Sequence, residues 1–120
     1  MKTRHVPSKQ WLRTLDDVSR TYDGAIVSLE IVGDDVGAQP EFLEQPLRGI
    51  SADRGGVTIR IARPGGLHLE HLVAHPSELR LVETDEGALV AVEIEEQGGM
   101  HALLHFRSPA RPDALDAGVE

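Results

Sequence analysis

The segment Gly66 to His75, GLHLEHLVAH, gathers three of the chain's six histidines and one glutamate into ten residues. Imidazoles and carboxylates are ligands for zinc and related ions, and they are also the general acids and bases of hydrolysis. Spacing decides what they can do together. On an extended strand His68 and Glu70 take one face, while His71 and His75 share the other with Leu67, Leu69 and Val73. His71 and His75 would then stand ~13 Å apart along the strand. On a helix they would lie one turn apart, at a zinc-binding spacing. The Gly65-Gly66 pair and the β-rich neighbours favour the strand. A metal centre would therefore need ligands from elsewhere. His101 and His105 share a face of the last strand, and an adjacent pairing would bring one of them near His68. The candidate metal ligands are thus His68, His71, His75, His101 and His105. The alternative is a set of polar strand positions, each hydrogen-bonded to backbone or carboxylate.

Other chemistry is sparse. With no cysteine there is no disulfide, thiolate site or thiol nucleophile. Ser51 sits in GISAD, which lacks the second glycine of a nucleophile elbow. The glycine pairs at 55–56, 65–66 and 98–99 read as turns, because none opens a helix that would hold phosphate. Glu93 and Glu95 share a strand face but alternate with Val92 and Ile94, as expected of a strand whose acidic side faces solvent. No residue is assigned a catalytic role, an enzyme is the less favoured class, and no cofactor is implied. The remaining binding candidates are Gln39, Glu41 and Phe42, in the connection GAQPEF. Long ordered connections often carry function. The competing role for Phe42 is to plug the end of a barrel.

The elements that would position these residues begin with a helix. In VPSKQWLRTLDDVSRTYDG, the residues Trp11, Leu15, Val18 and Tyr22 form one helical face. Pro7 suits the first turn and Gly24 suits the C′ position. After Gly24 the period changes to two. AIVSLEIVG is a strand; DDVGAQPEFLEQ reads as a hairpin connection or longer loop with a short strand near Phe42; PLRGISAD is a strand with Gly49 marking a bulge or bend. Turns at DRGG, RPGG, DEG and QGG separate VTIRIA, LHLEHLVAH, ELRLVET, ALVAVEIEE and MHALLHF, with a break at Pro76-Ser77. The expected fold is α+β: an N-terminal helix followed by a six- to seven-stranded, strongly bent antiparallel sheet or small barrel, with the helix on its apolar side. Residues 1–107 form one domain, and the Pro- and Ala-rich residues 108–120 a disordered tail.

Composition limits the functional classes. The 120 residues suit one domain, and 40% hydrophobic content with only 3% aromatics implies a core of Val, Leu, Ile and Ala. No apolar run approaches the roughly 18 residues of a membrane helix. The N-terminal charges have no apolar region behind them, so no secretory signal is expected, and a cytoplasmic location is the default. The net charge is −8, although the first 13 residues carry four bases and no acid. From Leu81 to Phe106 there are six acids and no Lys or Arg. Such a surface repels phosphate backbones, so nucleic-acid binding is disfavoured.

Two resemblances follow from these segments. VPSKQWLRTLDDVSRTYDG, VSLEIVGDDVGAQPEF, PLRGISAD, HLEHLVAHPSELRLVE and ALLHFRSP resemble a family of small uncharacterised bacterial proteins, a domain of unknown function, over about residues 5 to 109. That resemblance implies no activity. In shape, the order of elements is similar to Sm-like and SH3-like barrels. RGISADRGGVTIRI is similar to the Sm pattern, with Gly49 before the bent strand and Asp53 at its end. The asparagine that follows the aspartate in Sm proteins is absent, as is their second RNA-contacting motif. The expected function is a non-enzymatic module acting by protein contact, as a homo-oligomer or with a protein partner, because short strands leave open edges. The alternatives are an Sm-like RNA or nucleotide binder and a metal-dependent enzyme using the histidines.

Overall fold

The apolar stripe near the N-terminus winds into a helix because its four members fall on one side of a 3.6-residue turn. In the computed structural model, which describes residues 1–33 and 37–110, a single 3-10 turn at Ser8–Gln10 leads into α1, Trp11–Thr21. Leu15, Val18 and Tyr22 are buried and Trp11 packs at the edge of the core, as the stripe requires. The Trp11 indole N–H donates to the Val6 carbonyl at 2.8 Å and ties the helix start to the chain before it. Gly24 takes a positive φ of 87°. It lies one residue later than the C′ position expected for it, in a turn closed by the Ala25 N–H on the Tyr22 carbonyl.

Among the described residues, eight strands accompany this helix: β1 Lys2–His5, β2 Ile26–Gly33, β3 Gly37–Asp53, β4 Gly56–Arg63, β5 Leu67–Val73, β6 Pro76–Glu83, β7 Leu89–Glu96 and β8 His101–Ala110. They form one antiparallel sheet in the order β1-β6-β7-β8-β2-β3-β4-β5. The α+β class stands, but the strand number is eight rather than six or seven, and the sheet does not close into a barrel. β1 and β5 are its two edges. β1 precedes the helix and was not foreseen, since four exposed residues carry no burial pattern.

The expected connection through GAQPEF is the first half of β3, a 17-residue strand. Its first half pairs with β2 and its second with β4, so β3 crosses from one part of the sheet to the other. Three register shifts bend it. One leaves Glu41 without an opposite residue, between Pro40 (paired with Glu30) and Phe42 (paired with Leu29). Another lies at Leu43 and Glu44, opposite Ser28; Glu44 has φ 49°, and its N–H donates to Ser28 Oγ at 2.8 Å. The third falls between Leu47 and Gly49, where the glycine in PLRGISAD suggested a bulge.

The helix seats on β3 through one hydroxyl. Ser19 Oγ accepts from the Ile50 N–H at 2.9 Å, and lies 2.7 Å from the Ile50 carbonyl and 2.9 Å from the Leu15 carbonyl. The core beneath is aliphatic, with Leu15, Leu29, Leu47, Ile50, Ile59, Ile61, Leu79, Ile94 and Leu104 fully buried. Tyr22 and Phe106 meet edge-to-face with centroids 5.6 Å apart. β8 runs through Ala110, three residues into the stretch expected as tail; residues 111–120 of that stretch lie outside the described residues.

Candidate functional site: the histidines and the free edge of β5

β5 is a strand, and its inner side carries Leu69, His71 and Val73 against the core while His68, Glu70 and Leu72 face outward. His75 is not on it. That residue forms the corner between β5 and β6, with φ 54°, and its carbonyl accepts from the Gln97 N–H.

The histidines do not converge. β8 pairs with β7 and β2, and three strands separate it from β5, so neither His101 nor His105 comes beside His68. Instead, four histidines each lie within 4.0 Å of a different carboxylate. His5 Nε2 lies 2.6 Å from Glu78, His105 Nε2 3.0 Å from Glu30, His101 Nδ1 3.6 Å from Glu93, and His71 Nδ1 3.9 Å from Glu41. Among the described residues, no group of three or more His, Asp or Glu could hold a metal ion. The contact between Glu41 and His71 joins two candidates from different parts of the sequence. The bulge in β3 makes it possible, because an extra residue re-aims its side chain.

The outer face of the sheet carries a denser network that sequence reasoning missed. Arg80 of β6 donates through Nε to Glu93 at 2.6 Å and through Nη2 to Glu95 at 2.8 Å, both on β7. These bonds hold the Arg80 guanidinium protonated beyond its usual range, with Glu93 the larger cause. In return, the bond from Arg80 holds the Glu95 carboxyl below the usual carboxylate range. The alternation of Leu79, Arg80 and Leu81 was the available signal, since it puts one base on the face opposite the leucines. At the other end of β6, a groove of about 320 Å³ runs between the sheet and α1, rimmed by Arg4, Glu83 and Thr14 and floored by Leu81, Leu89 and Tyr22. Burial, and then the charge of Glu83, push the Tyr22 phenol above its usual pKa.

The residues matched to the Sm pattern serve the bend and the turn. Arg60 lies over Gly49, where an added Cβ would come 3.1 Å from the guanidinium, and Arg60 also donates to Ser51 Oγ at 3.3 Å. Asp53 Oδ1 accepts from the Gly55 N–H at 2.7 Å and shapes the DRGG turn. Gln39 is exposed in the β2–β3 ladder opposite Ile31, and Phe42 is buried in the core opposite Leu29.

The backbone of β5 can be assigned by parity. Ile50 gives its N–H and C=O to Ser19, on the side away from β4. Backbone groups alternate sides along an antiparallel ladder. Ile59, opposite Ile50, therefore turns its own groups toward β5, and Thr58 and Arg60 turn theirs toward β3. Carried across the β4–β5 register, this makes Leu69 and His71 the residues bonded to β4. His68, Glu70 and Leu72 then point their N–H and C=O groups outward. The strand also exposes Leu67 (66%) and Leu72 (55%). The other edge differs: β1 is four residues long and carries Lys2 and Arg4, the short charged form that resists pairing.

A helix seated on an open, eight-stranded antiparallel sheet with one long free edge defines an α+β module. Residues 2–115 match the family described as "Family of unknown function (DUF5335)", and the chain belongs to that family. It is similar to an uncharacterized protein of Aquifex aeolicus (strain VF5), 31% identical over 112 residues that cover 93% of this chain and 97% of that protein. No solved structure matches. The expected resemblance to a family of unknown function is thus shown, and the likeness to Sm and SH3 barrels remains one of loose shape.

Proposed function

We propose that this chain is a non-enzymatic bacterial module that acts by protein contact through the free edge of β5. One observation carries the reading: three consecutive outward-facing residues, His68, Glu70 and Leu72, offer unpaired backbone donors and acceptors beside exposed leucines. An extended segment of another chain can add to such an edge, with main-chain bonds giving affinity and side chains giving specificity. The pairing of four histidines with separate carboxylates supports this reading over a metal-dependent enzyme. The net charge of −8 supports it over an RNA binder.

Hydrogen exchange tests it. The amides of His68, Glu70 and Leu72 should exchange quickly in dilute pure protein and slowly in bacterial extract or concentrated solution. If all three exchange equally fast under every condition, the edge contacts nothing and the reading fails.

A further inference from the structure

Building on the edge-contact reading, we infer that the occupant of this edge is a second copy of the same strand, paired antiparallel about a two-fold axis at Leu69. The argument starts from side chains left without partners. Four of the six histidines have a carboxylate within 4.0 Å; among the described residues His68 and His75 do not. Glu70 has no cationic partner among the described residues either. Its cross-strand neighbour is Arg60, but Arg60 folds over Gly49 toward Ser51. His68 and Glu70 thus stand on the same outward-facing side of an open edge, each lacking the type of group that the other supplies.

Their backbones allow few two-fold pairings, because His68, Glu70 and Leu72 must meet outward-facing residues of the second copy. An axis at Glu70 sets the two Glu70 carboxylates directly opposite each other, which is repulsive. An axis at His71 sets Glu70 against Leu72 and leaves His68 against Ala74. An axis at Leu69 sets each Glu70 against the second copy's His68, twice over. On the inner side it sets Leu69 against Leu69 of the second copy and each Leu67 against the second copy's His71, which covers part of the exposed Leu67. Of the three, this register alone pairs each acid with an imidazole and sets no like charges opposite each other. An isologous pair of this kind closes at two copies.

The absence of cysteine makes the register directly testable in the full chain. Leu69 would face its copy across a non-hydrogen-bonded pair, where Cα atoms stand ~4.5 Å apart, within disulfide range. Under mild oxidation Leu69→Cys should form a disulfide-linked dimer readily, and Glu70→Cys and His71→Cys much less. Sedimentation equilibrium of the unmodified protein should show monomer and dimer. His68→Glu should weaken the dimer by about tenfold, since it converts two favourable pairs into two like-charge pairs. His68→Glu combined with Glu70→Lys should restore it. Glu70→Pro removes an outward N–H and should abolish dimerisation while the far-ultraviolet spectrum is kept; if that variant does not fold, the charge swap decides. Preferential cross-linking through residue 70 or 71, assembly beyond two copies, or failure of the swap overturns the inference. A pure protein that stays monomeric also overturns it. In that case slowed exchange of the edge amides in bacterial extract would leave the contact reading standing, and its absence would remove both.

Discussion

Replacing Ser19 with alanine isolates the bond that holds the helix on the sheet. Ser19 Oγ is the partner of the Ile50 N–H and also reaches the Ile50 carbonyl, and Ile50 is fully buried. Among the described residues no strand covers this side of β3 at Ile50, because backbone pairing there ends with Leu47 on Gly24 and Ala25. The alanine variant therefore leaves a donor and an acceptor facing an apolar helix. A buried group stripped of its partner costs roughly 1–3 kcal/mol. The carbonyl tolerates the loss better than the N–H does, and alanine returns roughly 0.5 kcal/mol of helix propensity. The expected net loss is about 2 kcal/mol, which for a domain of this size lowers Tm by roughly 8 °C. Urea unfolding followed by the fluorescence of Trp11, the sole tryptophan, measures it as a lower midpoint at unchanged slope. Ser19→Thr keeps the hydroxyl and should retain more than half of the difference. A Ser19→Ala variant as stable as the parent would show that water or a shifted helix satisfies Ile50, and the account of how α1 is anchored would fall.

Three further outcomes follow from the same structure. The Arg80 bond lowers the folded pKa of Glu95, so the folded state binds fewer protons there than the unfolded state does. The resulting stability is complete above the ordinary carboxylate pKa, roughly 4.3, and is lost as pH falls below it; Arg80→Met should flatten the stability profile in that acid window, as read by urea midpoints. The folded pKa of Tyr22, the sole tyrosine, is raised, so ultraviolet titration should detect its phenolate only above the usual range, and stability should fall as pH rises above ~10. Gly56→Ala puts a Cβ 2.2 Å from the Val73 carbonyl oxygen at φ 129° and should destabilise by roughly 3 kcal/mol or more. By contrast, Gly49→Ala meets only the movable end of Arg60 and should cost under roughly 1 kcal/mol in the same urea assay.

What was legible in the sequence divides at the bulges of β3. The helix stripe, the turns and the strands from Val57 onward follow regular periods, and the structure places them close to where those periods put them. From Gly37 to Asp53 the period fails, because each bulge adds a residue and inverts which side chains face the core. Residues 37–45 therefore read as a hairpin connection or longer loop with a short strand near Phe42, although they lie within the paired strand β3. The partners of the histidines were unreadable for another reason: His105 and Glu30 are 75 positions apart, and His5 and Glu78 are 73 apart. Strand pairing brings them together: β8 returns to pair with β2, and β1 pairs with β6.

That strand order also separates the two edges in character. β1 covers β6 and ends the sheet with four residues bearing Lys2 and Arg4. β5 ends it with seven residues bearing exposed leucines and, among the described residues, an acid and an imidazole without charged partners. A charged lysine or proline on β5 would have protected that edge at little expense in stability, as natural sheets commonly do. The ion pairs on the sheet face fit no such protective role, because Arg80 bonds Glu93 and Glu95 on β6 and β7, neither of which is an edge strand. Across the sheet face Arg80 bonds its two carboxylates within the chain, whereas along β5 the outward backbone groups stay open, where addition of another strand would satisfy them.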